Sequence, residues 1–178
     1  MERLLITICG RAGSKGFKNK NLKTFCGHPL VYYSLSAAEL FLKSRPDLHA
    51  DLALNTDSPE LAALVAEKYP EVVFLPRGAE LGGDRVPKMA VYQDSLRRME
   101  QQTGAPYTAL MDLDITSPLR TAADVANAFD KKQSRPDLDL VFRGAPQPVV
   151  QHGQDGGRPC RAGQPQRIHR PPAGPRGL

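Results

Sequence analysis

A chain of 178 residues, 40% of them apolar, is long enough to fold into one domain with a core of its own. Its net charge of +5 misleads, because residues 143–178 hold six of the 24 basic residues and one of the 19 acidic ones, leaving 18 of each sign in residues 1–142. A neutral body whose cations are concentrated locally argues against a protein that coats nucleic acid and for a local anion site.

The run Leu4 to Ile8 reads as a buried strand. It is far too short to span a bilayer, and Met1-Glu2-Arg3 followed by that run lacks a signal-peptide core and cleavage site. The strand empties into a loop that reaches His28 without an acidic residue. Gly10, Gly13 and Gly16 let backbone amides approach a ligand, while Arg11, Lys15, Lys18, Lys20 and Lys23 offer charge that phosphate oxygens would neutralise. Neither the Walker spacing nor the dinucleotide spacing fits, since the glycines fall three apart and a lysine precedes the last one. The plainer alternative is a glycine-rich turn with solvated lysines.

Pro29 is placed as a first-turn residue of a helix whose apolar positions Leu30, Val31, Leu35, Ala38 and Leu42 recur at helical spacing until Pro46. Asp51 to Asn55 reads as a second strand. Ser58-Pro59-Glu60 then caps and opens a helix through Lys68. Glu71 to Leu75 is a third strand, followed by a loop with Gly78, Gly82 and Gly83, and by a helix from about Lys88 to Gln102 that Thr103-Gly104 stops. Tyr107 to Leu113 is a fourth strand. Thr121, with Asp124 three residues on, marks a capping pair for a helix to Lys132, and Leu138 to Phe142 is a fifth strand. The alternation predicts an α/β fold of three layers, a mostly parallel sheet covered on both faces, with ligands at the carboxyl ends of the strands.

From Arg143 the composition turns to Gly, Pro, Gln and Arg, so two segments are expected: a folded body over residues 1–142 and a disordered tail over 143–178. An arginine tail that binds RNA is one reading of the second segment. An out-of-frame continuation of a GC-rich gene is another, and translating the other two frames of the coding DNA distinguishes them. Cys9, Cys26 and Cys160 are odd in number and form no C-x-x-C pair, which suggests neither a disulfide framework nor a zinc cluster and points to the cytoplasm. His28, His49, His152 and His169 show no ligand spacing.

The second informative stretch is Leu110 to Arg120. Residues two apart on a strand share a face, so Asp112 and Asp114 can project together and offer hard oxygens to Mg²⁺ on a triphosphate, with loop hydrogen bonding as the alternative. Arg77 and Arg120 fall in loops at the same rim, where either could grip a phosphate or a sugar carboxylate. Thr56-Asp57-Ser58 is assigned turn and cap chemistry.

The run I-C-G-R-A-G-S-K-G-F-K-N-K-N-L with the following G-H-P-L-V-Y-Y-S-L, and the later N-T-D-S, R-G-A-E-L-G-G-D and T-S-P-L-R in that order, resemble the motifs of the acylneuraminate cytidylyltransferases, the CMP-sialic acid synthetases, over residues 3 to about 142. The related deoxy-octulosonate enzymes carry a leucine-proline-glycine-lysine run that this loop lacks. The resemblance implies a Rossmann-like nucleotide-diphospho-sugar transferase fold and transfer of CMP from CTP to a sialic-acid-like nonulosonate, with Mg²⁺ and release of pyrophosphate. It further implies that Arg11, Ser14, Lys15, Lys20 and Asn21 hold the CTP phosphates and cytosine, that Gly10 and Gly13 line them, and that Arg77 touches the nucleotide. Arg11, Lys15 and Lys20 are then the catalytic cations, with Lys15 leading. Thr116, Ser117 and Arg120 face the sugar, and Asp114 replaces a glutamine common in the family. The family's metal-binding aspartate pair and dimerisation arm belong to a C-terminal part that the Gly/Pro/Arg tail replaces, so the homodimer expected of the family is not expected here. Three function classes follow: a cytidylyltransferase, a truncated relative that binds nucleotide without turnover, and a basic-tailed RNA-binding protein. Pyrophosphate release separates the first from the second, CTP-induced thermal stabilisation marks both, and salt-dependent RNA binding lost with the tail marks the third.

Overall fold

The computed structural model describes residues 2–13, 19–83, 85–135 and 137–141. The central strand β1 (Arg3–Gly10) is buried from Leu4 to Ile8. It pairs in parallel on one side with β4 (His49–Thr56) and on the other with β6 (Ala109–Asp112), while β5 (Val73–Pro76) pairs in parallel with the outer edge of β4. The sheet order is therefore β5-β4-β1-β6. The progression outward from β1 reverses between β1 and β6, and a doubly wound sheet opens its ligand crevice at that point.

Alternate residues of β1 serve opposite layers, which explains why the strand reads as a continuous apolar run. Leu4, Ile6 and Ile8 pack with Leu52 and Leu54 against α1 (Leu30–Lys43), α2 (Pro59–Lys68) and α4 (Ala122–Ser134). Phe41 of α1 meets Phe129 of α4 edge to face at 5.5 Å between ring centroids. On the other face Leu5, Ala53 and Leu75 pack against Leu96 and Met99 of α3 (Lys88–Thr103) and against Tyr107. This is the three-layer architecture expected from the alternation of elements.

Local signals explain most boundaries. The Ser58 hydroxyl accepts from the Leu61 amide with Pro59 behind it, Thr121 and Asp124 form a reciprocal capping box, and Gly104 ends α3 in the left-handed conformation at φ 69°. Two expectations require correction. Pro29 lies just ahead of α1 rather than in its first turn. It is extended at ψ 136° and belongs to a two-stranded antiparallel ribbon of β2 (Thr24–Phe25) and β3 (His28–Pro29). Cys26 and Gly27, at φ 47° and 83°, make the two-residue turn between them, so the long loop is fastened before the helix begins. The fifth strand is not formed over Leu138 to Val141. There the Arg135 guanidinium grips both carboxylate oxygens of Asp137, and the Leu138 amide turns back to the Arg135 carbonyl at 3.0 Å, a turn rather than an extended segment. Phe142 and the segment 143–178 lie outside the described residues.

Gly10 at the end of β1 is closely packed. A Cβ there would stand 2.6 Å from the Leu61 Cδ2 and 2.9 Å from the Ile115 Cδ1, and 3.2 Å from the Asn21 amide nitrogen. Leu61 and Ile115 are almost fully buried and have nowhere to retreat. Gly10→Ala is expected to lower stability by about 1–3 kcal/mol, read as a reduced urea midpoint at unchanged m-value.

Candidate active site

The carboxyl ends of β1, β4 and β5 are level, since Gly10 stands beside Thr56 and Thr56 beside Pro76. β6 stops lower, with Asp112 beside Thr7, and the Leu113 amide adds one more bond to the Thr7 carbonyl. A step is thus left in the rim between β1 and β6, where the strand order reverses.

On the upper side of that step, Arg11, Ala12 and Gly13 leave the end of β1, Gly13 at φ 68°. Ser14, Lys15, Gly16 and Lys18, including the leading catalytic candidate, lie outside the described residues. The chain is next described at Asn19, itself left-handed at φ 55°, and a single 3-10 turn, Lys20–Leu22, follows. Asn21 is almost fully buried, and its amide donates to the Arg11 carbonyl at 3.0 Å. It braces the two ends of the loop against each other. The Ala12 amide donates to the Asp57 carboxylate at 2.6 Å, and Asp57 also lies beside Gly82, whose added Cβ would stand 3.3 Å from Oδ2. Asp57 therefore reaches the glycine loop, a role beyond the turn chemistry expected of Thr56-Asp57-Ser58. Ser58 caps α2 as expected, and its own amide donates to the Thr56 hydroxyl.

Arg77 is held against the end of β4. Its Nε donates to the Asn55 side-chain oxygen at 2.7 Å and its Nη2 to the Asn55 carbonyl at 3.0 Å, so Nη1 is the donor that can turn to a ligand. Asn55 is completely buried, with its amide on the Ser95 hydroxyl at 3.0 Å. The arginine is consequently an anchored fork rather than a solvated side chain.

Below the step stand the two carboxylates. As the spacing requires, Asp112 and Asp114 share the α3 side, while Leu113 and Ile115 go into the core on the other. One cation joins them: Lys88 Nζ lies 2.6 Å from Asp112 Oδ2 and 3.5 Å from Asp114 Oδ2. Asp112 also accepts from the Thr7 hydroxyl at 3.3 Å, and Asp114 Oδ1 accepts from the Thr116 amide and hydroxyl at 3.2 and 3.0 Å. Burial works against charge on Lys88, yet the two carboxylates raise it above the ordinary lysine value. Burial likewise disfavours charge on Asp114, but Lys88 and the Thr116 hydrogen bonds outweigh it and hold this carboxyl below the usual carboxylate range. Desolvation, reinforced by Asp112, pushes the Cys9 thiol and the Tyr92 phenol well up, so neither ionises here.

Arg120 reaches the same neighbourhood from the far side, its Nη1 on the Asp114 carbonyl at 3.2 Å and on the Ser34 hydroxyl at 3.4 Å, while Thr116 and Ser117 are exposed beside it. Among the described residues no group of three or more His, Cys, Asp or Glu gathers as a cage for a metal. The donor set does fit Mg²⁺ of the kind shared with a polyphosphate, because two hard carboxylate oxygens already converge on one positive group. Sequence reasoning missed Lys88 and Asp57. A lone lysine at a helix start gives no local sign that two aspartates 24 and 26 residues on will find it, although α3 connecting β5 to β6 brings them together.

Comparison with known proteins agrees with this fold. A solved CMP:2-keto-3-deoxy-manno-octonic acid synthetase complexed with CTP shares the fold at a TM-score of 0.57 and 17% identity, covering 78% of this chain and 50% of that one. The post-translational flagellin modification protein B of Campylobacter coli is 38% identical over 130 residues, 73% of this chain and 53% of the relative. The CMP-N,N'-diacetyllegionaminic acid synthase of Campylobacter jejuni is 38% identical over 118 residues, 66% of this chain and 48% of the relative. The chain thus spans about half the length of these two relatives. The cytidylyltransferase family model matches residues 5–100, which include most of β1, the glycine loop, Arg77 and Lys88. The chain belongs to the cytidylyltransferase family.

Proposed function

We propose that this chain provides the nucleotide site of an enzyme that transfers CMP from CTP to a sialic-acid-like nonulosonate, releasing pyrophosphate. The observation that supports this most is the parallel pairing of β1 with β6, which starts the glycine loop after β1 and sets the Asp112 and Asp114 pair at the end of β6, at the same rim of the sheet. A triphosphate needs cations and amides on one side and a metal-bearing carboxylate pair on the other, and family membership supplies the nucleotide.

In this reading the sugar hydroxyl attacks the α-phosphorus in line, and charge accumulates on the phosphoryl oxygens and on the departing pyrophosphate. Arg11, Lys15 and Lys20 neutralise that charge, while the amides around Gly10 and Gly13 and the Ser14 hydroxyl fix the phosphates. Asn21 holds the loop closed through the Arg11 carbonyl, and Arg77 offers its remaining guanidinium nitrogen to the nucleotide. Asp112 and Asp114 would hold Mg²⁺, which when bound shields the phosphate oxygens and stabilises the leaving pyrophosphate. Thr116, Ser117 and Arg120 face the acid sugar, with Asp114 placed by Thr116 between it and the nucleotide.

The first test is a pyrophosphate-release assay on the full chain across the four nucleoside triphosphates, with Mg²⁺ and with N-acetylneuraminic, legionaminic and pseudaminic acids. CTP with one of these sugars is expected to yield pyrophosphate. Release with another nucleotide alone would contradict the reading, whereas CTP raising the melting temperature without turnover would assign binding but not catalysis to this chain. In a turnover-competent protein, Lys15→Ala is expected to remove about 3 kcal/mol of transition-state stabilisation, on the order of a hundredfold in kcat, with smaller change in CTP affinity.

A further inference from the structure

The Lys88 ammonium holds the two carboxylate oxygens that a divalent cation bound by this pair would use. It bridges Oδ2 of Asp112 and Oδ2 of Asp114 at 2.6 and 3.5 Å, one oxygen from each carboxylate. Lys88 is the first residue of α3 and follows the Pro87 cap. The amino end of a helix favours anions over cations, so the helix itself does not hold the ammonium there. What holds it is the carboxylate pair, with the Tyr92 ring one turn on and 5.5 Å from Nζ. The side chain is 38% exposed while Asp112 is only 12% exposed, so the lysine stem is free to swing outward and the carboxylate is not. A divalent ion and an ammonium cannot share the same two oxygens, because like charges at such separation repel strongly.

We propose that Lys88 is an exchangeable counter-ion: it neutralises Asp112 and Asp114 until a divalent cation takes its place, and it then carries its charge to the phosphates of the incoming nucleotide. The identity of that anion rests on the cytidylyltransferase reading, but displacement by a divalent cation can be measured without nucleotide. The device keeps a partly buried acidic pair paired at all times, where a lone pair of carboxylates would be costly. It also couples the ligands, since the metal binds best when the displaced ammonium has phosphate oxygens to join.

The probe is Mn²⁺ alone, titrated into the full chain and followed through the electron paramagnetic resonance signal of the free ion. Lys88→Met is expected to tighten Mn²⁺ binding about tenfold or more over the unaltered chain, and Asp112→Asn added to it is expected to abolish the gain. Unchanged or weaker binding by Lys88→Met, or a gain that survives Asp112→Asn, would overturn the proposal. A second measurement uses the unaltered protein: saturating Mn²⁺ is expected to raise the acetylation rate of Lys88 at least about twofold by mass spectrometry as the amine leaves its carboxylates, and an unchanged rate would overturn the proposal as well. A chain that shows the displacement yet fails to bind CTP would contradict the nucleotide reading while leaving the counter-ion exchange standing.

Discussion

The arrangement depends on one constraint, the parallel pairing of β1 with a neighbour on each side. With β4 and β6 both running in its direction, the loops that leave β1, β4 and β6 emerge at a single rim. The shortness of β6, whose last residue Asp112 stands beside Thr7 while β1 runs on to Gly10, then lowers its loop, so that carboxylates stand below the end of β1 rather than beside it. Had β6 paired antiparallel, Asp112 and Asp114 would sit at the opposite edge of the sheet from the glycine loop. The apolar alternation of β1 secures this pairing, because a slip by one residue would exchange Leu4, Ile6 and Ile8 with Leu5 and Thr7 between two differently shaped layers.

Charge at the rim is balanced by the protein's own side chains. The Asp57 carboxylate accepts an amide of the glycine loop, and the Lys88 ammonium joins the acidic pair. Each has the sign of the group that a metal-bound triphosphate would bring to that place. Such internal pairing limits the desolvation cost of a concentrated polar site. It also means that binding there is an exchange of partners, in which a ligand must offer more than the side chain it displaces. Arg77 and Asn21 behave differently: their hydrogen bonds to Asn55 and to the Arg11 carbonyl are scaffolding that keeps the rim in shape.

Much of the fold was legible in the sequence because its boundaries are set by short-range chemistry. Ser58 with Pro59, Thr121 with Asp124, and Thr103-Gly104 each mark a helix end by groups within a few residues of one another. The ribbon Thr24 to Pro29 was missed because two-residue strands have no periodicity to read, and its turn rests on Cys26, which is seldom found at positive φ. Leu138 to Val141 had the apolar alternation of a strand, but the adjacent Arg135 and Asp137 pair settles a turn at its start. At the site, residues joined by a motif could be named from the sequence, as with Arg11, Asn21, Asp112 and Asp114. Residues joined only by topology were not: Lys88 and Asp57 gain their meaning from α3 and β4, and nothing in their immediate neighbours announces it.

The central claim is that CTP docks at the step between β1 and β6. Amide hydrogen exchange of the full chain with and without CTP tests it most directly. The account predicts slowed exchange at Arg11 to Gly13 and at Leu113 to Thr116, with the opposite end of the sheet around Arg3, His49 and Thr108 unaffected. Protection confined to that opposite end, or none at either stretch at saturating CTP, would contradict it.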